Sequence, residues 1–134
     1  GFYEKFTKLK IVLVEANIGW IPTLLEQTDD MFLRFRFFTE ATQKMSQMPS
    51  TIFHRHFWAT FMMDTVGVEL RHRMNIDHLM WSTDYPHSGS DWPNSRVTIE
   101  RVFDGLPKAD VKKMLHDNAK ALYGLDHIPD SLER

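Results

Sequence analysis

The sequence contains no cysteine among its 134 residues. Disulfide bonds and thiolate chemistry are therefore excluded, and a bound metal ion would need His, Asp or Glu side chains as ligands. No segment approaches the roughly 20 uncharged apolar residues that a membrane-spanning helix requires. The N-terminus also lacks the apolar stretch of a signal peptide, so the sequence predicts a cytoplasmic protein.

An excess of charge of either sign is also missing, because 16 basic and 18 acidic residues leave a formal net charge of −2. This balance gives no basis for a nucleic-acid partner or a membrane-surface partner. A small-molecule substrate is the expected partner instead. The chain begins with Gly1 and not with methionine, which we interpret as a sign of a processed product or a fragment.

Large apolar side chains are abundant, with ten Phe, four Trp and eight Met. Such side chains need a core or an interface that buries them. The stretch 31–38, with the sequence MFLRFRFF, cannot be buried by one helical stripe. It predicts a contact surface for more protein, either in a homo-oligomer or against a further segment of the same fold.

Three apolar stretches predict β-strands, and helical patterns separate them. The predicted strands are 9–15, 51–61 and 78–82. One predicted helix begins at Pro22, and a second runs from an Asp64 N-cap to Met74. A third ends before Gly105, and a fourth extends from Pro107 to Gly124. Strands that alternate with helices in this way predict βαβ units and a parallel sheet of the α/β class.

The most informative motif, 81–87 with the sequence WSTDYPH, follows the third predicted strand. An acidic residue at the carboxyl end of a buried strand is where α/β enzymes place their chemistry. A carboxylate in that place is costly unless a metal, a proton or hydrogen bonds satisfy it. Asp84 is therefore the first catalytic and metal-binding candidate, and its alternative role is a hydrogen bond within the loop.

Other candidate residues lie in the loops that follow the predicted strands. Glu15 ends the first strand, so its carboxylate could shuttle protons, bind a metal or pair with an arginine. Trp20 is a candidate for the substrate opening, or it packs at the helix start. His87 and Asp91 could contact substrate, although bonds within their own loop are favoured.

Two further polar features have structural interpretations. His54 and His56 would share a face of the second predicted strand, but they lie early in it, so packing or a surface role is favoured over metal binding. Asn118 shares a helical stripe with apolar residues, and a buried amide needs partners. We therefore expect the Asn118 amide to hold the backbone of a neighbouring loop.

Several segments resemble the C-terminal part of the amidohydrolase-related family. This group of metal-dependent hydrolases and decarboxylases includes aminocarboxymuconate-semialdehyde decarboxylase. The segments are 9–22, 64–67, 81–87 with 92–95, and 118–125. The resemblance implies a TIM (β/α)8 barrel, of which residues 1–134 form one partial domain, about strands 6 to 8, with 126–134 as a flexible tail. A complete barrel needs about 250 residues.

The resemblance also implies roles for two of the candidates. Asp84 matches the aspartate that binds the catalytic metal, and the expected cofactor is a divalent metal, with zinc in first place. Glu15 stands where the decarboxylases of the family have a histidine that acts as general acid and base. This departure favours hydrolysis over decarboxylation.

The sequence thus predicts the C-terminal fragment of a metal-dependent hydrolase, which acts by metal-activated water on a small carboxylated or cyclic compound. Non-oxidative decarboxylation by the same family is one alternative. The other is an inactive αβ module, buried in an oligomer or against a missing half-barrel. The chain alone is expected to be inactive, since a catalytic zinc usually has three protein ligands, and the family's other metal-binding histidines would lie before Gly1.

Overall fold

The computed structural model describes residues 2–129, except for the side chain of Ala41. The strands are β1 (Ile11–Leu13), β2 (Phe57–Phe61) and β3 (Leu79–Trp81). The helices are α1 (Phe2–Lys5), α2 (Ile21–Phe35), α3 (Glu40–Gln43), α4 (Pro49–His56), α5 (Thr65–Glu69), α6 (Ser95–Val102), α7 (Lys108–Lys112) and α8 (Asn118–Tyr123). Two 3₁₀ turns (Arg71–Arg73 and Ile76–His78) and a π-helical turn (Lys113–Asp117) complete the described elements.

The three strands form a parallel sheet in the order β1-β2-β3. Ile11 lies opposite Phe57, and Ala59 lies between Leu13 on one side and Leu79 on the other. Helical segments connect each strand to the next, as parallel neighbours require. The predicted parallel α/β arrangement is confirmed, and the carboxyl ends of all three strands meet at one edge of the sheet.

The core lies between one face of the sheet and the helices. Ala59 and Phe61 share that face because side chains alternate along a strand, and both are buried. The other members of the core cluster come mainly from the helices and the loops that lead into them: Ile18, Ile21, Leu25, Val68, Met74, Leu79, Val102, Phe103 and Met114. This packing fixes the helix starts relative to the strand ends.

The prediction of a strand over 51–61 is wrong for its first half. Residues Pro49–His56 form helix α4, and only Phe57–Phe61 form a strand. Pro49 suits the first turn of a helix, and Ile52 and His56 recur at the four-residue spacing of one helix face, where both are buried. The segment therefore has the four-residue spacing of a helix, which the prediction of a strand over 51–61 did not take into account.

This correction also removes the predicted shared face of His54 and His56, since residues two apart on a helix point in different directions. His56 is buried, with Nδ1 2.7 Å from the backbone oxygen of Leu9. His54 Nδ1 is buried without a hydrogen-bond partner in the described part of the chain. The packing interpretation of His56 is therefore confirmed.

Element ends differ from the predictions in the places where local signals are weak. The first strand is shorter than 9–15, and the helix capped by Asp64 ends at Glu69, with a 3₁₀ turn before Met74. The two predicted helix ends at glycine agree with the structure. Gly105 and Gly124 have φ values of +71° and +65°, in the left-handed region that favours glycine. The predicted flexible tail lies partly outside the described residues, since 130–134 are not described, and it stays a prediction.

The stretch 31–38 is exposed for the most part, as the sequence predicts. Phe32 is buried, whereas Phe37 and Phe38 are 74% and 81% exposed. Met31, Leu33 and Phe35 are also exposed. Separately, none of the helices within 2–129 has the length and apolar character needed to cross a membrane.

Candidate metal site at the carboxyl edge of the sheet

Three side chains with metal-binding atoms converge where β1 and β3 end. Glu15 lies two residues after β1, and Asp84 and His87 lie in the loop after β3. One potential ligand atom from each of the three lies within 4.8 Å of the others. We call these residues the Glu15–Asp84–His87 cluster. The sequence placed Glu15 and Asp84 each at the carboxyl end of a predicted strand, and it predicted His87 as a substrate contact and not as a metal ligand.

The loop after β3 holds Asp84 through its own polar groups. The backbone N–H of Asp84 donates to Ser82 Oγ at 3.3 Å, and the N–H of His87 donates to the Asp84 carbonyl at 2.9 Å. The side chain of Asp84 is 15% exposed, and its Oδ2 lies 2.8 Å from Nδ1 of His87, which is 64% exposed. Asp84 is therefore a largely buried carboxylate with one imidazole partner at the surface.

The backbone around the cluster adopts an unusual conformation. Glu15, Asn17 and Asp84 have φ values of +57°, +54° and +53°. Residues other than glycine reach this left-handed region at a cost of about 1–2 kcal/mol each, and such residues concentrate at functional sites. Two of the three residues belong to the cluster, so its geometry is imposed by the surrounding loops.

A backbone hydrogen bond holds Glu15 in place, while its side chain is exposed. Its N–H donates to Thr60 Oγ1 of β2 at 3.0 Å, and the residue as a whole is exposed. The carboxylate thus faces the open edge of the sheet, where a substrate or an ion could reach it. The alternative pairing of Glu15 with an arginine does not occur within the described residues.

Trp20 and Asp91 make contacts within their own loops. The indole N–H of Trp20 donates to the carbonyls of Ala16 and Asn17 at 2.8 and 3.1 Å, and the residue is 41% exposed. Asp91 Oδ1 accepts a hydrogen bond from Ser95 Oγ at the start of α6. These contacts favour the structural interpretation of Asp91, while substrate binding by Trp20 stays a prediction.

The donor set of the cluster fits a divalent metal. Two carboxylates and one imidazole are the ligands that zinc and manganese accept in cysteine-free sites. Ligand atoms about 2.0–2.2 Å from a tetrahedral ion lie roughly 3.5 Å apart, so the observed spread of up to 4.8 Å would need only a modest closure.

Comparison with known proteins identifies relatives of the chain. Residues 1–125 match the family model described as amidohydrolase, and no match was found among curated proteins. Similar solved structures include 5-carboxyvanillate decarboxylase from Sphingomonas paucimobilis, with a TM-score of 0.76 and 22% identity over 92% of this chain and 36% of that chain. An amidohydrolase from Mycobacterium avium subsp. paratuberculosis K-10 gives a TM-score of 0.72 and 21% identity over 91% of this chain and 30% of that chain.

A third similar structure is dihydroxybenzoic acid decarboxylase from Polaromonas sp. JS666, solved with bound manganese and the inhibitor 2-nitroresorcinol. Its TM-score is 0.70 at 21% identity, and the match covers all of this chain and 39% of that chain. The chain thus spans about a third of the length of these structures. The likeness confirms the predicted fold class, which is part of a TIM (β/α)8 barrel.

Proposed function

The chain belongs to the amidohydrolase family, and from this premise we propose that it supplies the last part of the active site of a metal-dependent barrel enzyme. The observation that carries the proposal is the Glu15–Asp84–His87 cluster at the carboxyl edge of the sheet, where barrel enzymes place their chemistry. We call the polypeptide that joins these 134 residues to the rest of a barrel the parent protein. The reaction, its substrate and its metal are properties of that parent.

Asp84 is the proposed metal ligand, and Glu15 or His87 could add a second donor. Zinc is the first candidate, and manganese is the second because one similar structure contains it. When bound, such an ion acts as a Lewis acid that polarises a substrate oxygen and makes water a stronger nucleophile at neutral pH. The remaining ligands would come from the rest of the parent protein, since Asp84 and one further donor fall short of the three protein ligands that a catalytic zinc usually has.

The favoured reaction is hydrolysis of a small carboxylated or cyclic compound. Asp84 accepts the proton that the attacking water loses, and its hydrogen bond with His87 holds the carboxylate in place. The exposed imidazole of His87 can then pass that proton to solvent. Glu15 faces the same space, and in the arrangement in which it does not bind the metal it is placed to donate a proton to the leaving group, while Trp20 and His87 would contact the substrate.

Non-oxidative decarboxylation is the second candidate, because two of the similar structures are decarboxylases. In that reaction the bond between the carboxyl carbon and the substrate ring breaks, carbon dioxide leaves, and the electron pair stays on the ring carbon. A general acid must then protonate that carbon. Glu15 would have this role in place of the histidine found in the decarboxylases of the family, and this difference is why hydrolysis is preferred.

An activity assay with the parent protein separates the two reactions. The metal-free protein is reloaded with zinc or manganese and supplied with small lactones and amides or with carboxylated phenols, while acid release and carbon dioxide release are measured. Asp84→Asn should abolish turnover, and Glu15→Gln should reduce it by about 10²–10⁴-fold, as expected for the loss of a general acid or base. Asp104→Asn is the control, since it makes the same change at an exposed position after α6. Full activity of Asp84→Asn would contradict the proposal.

An inactive αβ module is the third candidate, supported by the exposed aromatic residues of the 31–38 stretch. Its expected partners are a second copy of the chain or the remaining barrel segment, in the cytoplasm. Light scattering after size exclusion tests this candidate. A metal-free assembly whose mass rises with concentration would favour the module over the enzyme.

A further inference from the structure

The side chain of Asp64 joins two loops that lie far apart in the sequence. Its Oδ2 accepts hydrogen bonds from the backbone N–H groups of Ile18 and Gly19, at 2.6 and 2.7 Å. Its Oδ1 accepts a third hydrogen bond from the N–H of Gly67 at 2.8 Å, which caps helix α5. One carboxylate therefore ties the loop after β1 to the loop after β2.

The tied loop is the one that carries Glu15. Three residues after Glu15, the side chain of Ile18 is completely buried, with no exposed area. At the other end of the loop, the Glu15 N–H is held by Thr60 Oγ1 of β2. Between these two attachments the backbone passes through the left-handed conformations of Glu15 and Asn17. Since such conformations persist only when the surroundings impose them, the contacts of Asp64 and Thr60 determine where Glu15 lies.

The two loops also approach each other too closely for side chains at two positions. A Cβ atom on Gly67 would lie 2.7 Å from both Asp64 Oδ2 and the backbone nitrogen of Gly19, and even closer to the Ile18 side chain. A Cβ atom on Gly19 would lie 2.9 Å from Asp64 Oδ1. Glycine at both positions therefore permits the short hydrogen bonds to Asp64.

We propose that Asp64 is a positioning residue that holds Glu15 within reach of Asp84 and the metal. The inference rests on the proposed function, because it gives Asp64 a part in the same site. It requires a carboxylate and not merely a polar side chain, since both oxygens accept from N–H groups. An asparagine has one acceptor oxygen, so its NH₂ group would face an N–H donor on one of the two loops.

The test is a metal titration of the parent protein in solution, with Mn²⁺ followed by electron paramagnetic resonance. Asp64→Asn should weaken Mn²⁺ binding by about 10-fold or more, the usual effect of losing a group that orients a metal ligand. Asp110→Asn is the matched control, since Asp110 is also a hydrogen-bonded carboxylate but pairs with Arg71, outside the cluster. This control should lower stability without changing the affinity for Mn²⁺.

A double mutant separates positioning from a general loss of structure. If Asp64 acts through Glu15, then Asp64→Asn should have no further effect on Mn²⁺ affinity in a Glu15→Gln background. Effects that add up in the double mutant, or an unchanged affinity in Asp64→Asn, would overturn the inference.

Hydrogen exchange of the Ile18 and Gly19 amides gives a second readout that does not depend on the metal. Both amides should exchange faster in Asp64→Asn than in the wild type, and unchanged exchange would also overturn the inference. If the wild type binds no Mn²⁺, or if Asp84→Asn binds it normally, the proposed function fails, and with it the role of Asp64 at a metal site. Faster exchange would then show only that Asp64 holds the loop.

Discussion

Replacing Gly67 with alanine tests the contact between the two loops most sharply. The new methyl group would lie 2.7 Å from the Gly19 nitrogen and from Asp64 Oδ2, whereas atoms in favourable contact are about 3.5–4.0 Å apart. Two backbone segments would therefore have to separate by roughly 1 Å, which no side-chain rotation can provide. Overpacking of this kind costs about 1–3 kcal/mol.

The same substitution has an opposing effect, because alanine is better than glycine inside a helix by about 0.5–1 kcal/mol. Gly67 lies within α5, so the expected net loss of unfolding free energy is about 0.5–2 kcal/mol. Urea denaturation followed by tryptophan fluorescence measures this loss as a lower midpoint at an unchanged slope.

Gly89→Ala is the matched control, since a Cβ atom there would meet its nearest neighbour, His87 Nδ1, at an ordinary contact distance of 3.6 Å. Its unfolding free energy should stay within about 0.5 kcal/mol of the wild type. A Gly67→Ala protein that is as stable as the wild type, or more stable, would contradict the close approach of the two loops.

Three further predictions concern stability. Asn118→Ala removes the amide that donates to the backbone carbonyls of Ile76 and Leu79, each 2.7 Å away. It should lower the unfolding free energy in urea denaturation by about 1–3 kcal/mol. Asn94→Ala, at an exposed position, should lower it much less. The hydrogen bond from Arg71 holds the pKa of the Asp110 carboxyl below its usual 3.8. The Asp110 carboxylate therefore stabilises the fold above pH 3.8, and this stabilisation is lost as pH falls through the lower folded pKa. Asp110→Asn should reduce the change in melting temperature with pH on the acid side, and an unchanged acid profile would contradict the pairing. Burial lowers the pKa of His78 from 6.5. The folded protein therefore loses stability as pH falls from 6.5 towards the folded pKa of His78. His78→Phe should remove that part of the pH dependence, and a wild-type pH profile in this variant would show that buried His78 is not its source.

The features that the sequence predicted correctly depend on short-range signals. Asp64 caps α5, and the glycines at 105 and 124 have the left-handed conformation that ends a helix. Glu15 and Asp84 lie at one edge because parallel strands share a direction, which the alternation of strands and helices already implied. The amide of Asn118 holds the backbone at β3, because a buried amide must find partners.

The error at 51–56 shows where pattern reading fails. The strand prediction rested on Phe53, Phe57 and Ala59, which lie at even spacings over 51–61. Ile52 and His56 have helical spacing, and a segment this short can satisfy both periods. Both residues pack against the rest of the fold, and this packing favours the helix. A local pattern alone contains no information about that contact.

The contacts that shape the site could not be predicted because they join distant parts of the chain. The Asp64 carboxylate reaches N–H groups 45 and 46 residues earlier in the sequence, and the sequence predicted only its role as a helix cap. His87 joins the cluster because the loop after β3 turns back on itself, which brings Nδ1 to Asp84 Oδ2. The sequence signal for His87 was its position in the 81–87 motif, which did not distinguish a metal ligand from a substrate contact.

Our main proposal is that Asp84 binds a metal at the carboxyl edge of the sheet. It is tested most directly by elemental metal analysis of the purified parent protein, with intact mass as a check and Asp84→Ala as the comparison. We expect about one divalent ion per wild-type chain and none in the folded Asp84→Ala protein. No metal in the wild type, or equal metal in both proteins, would contradict it.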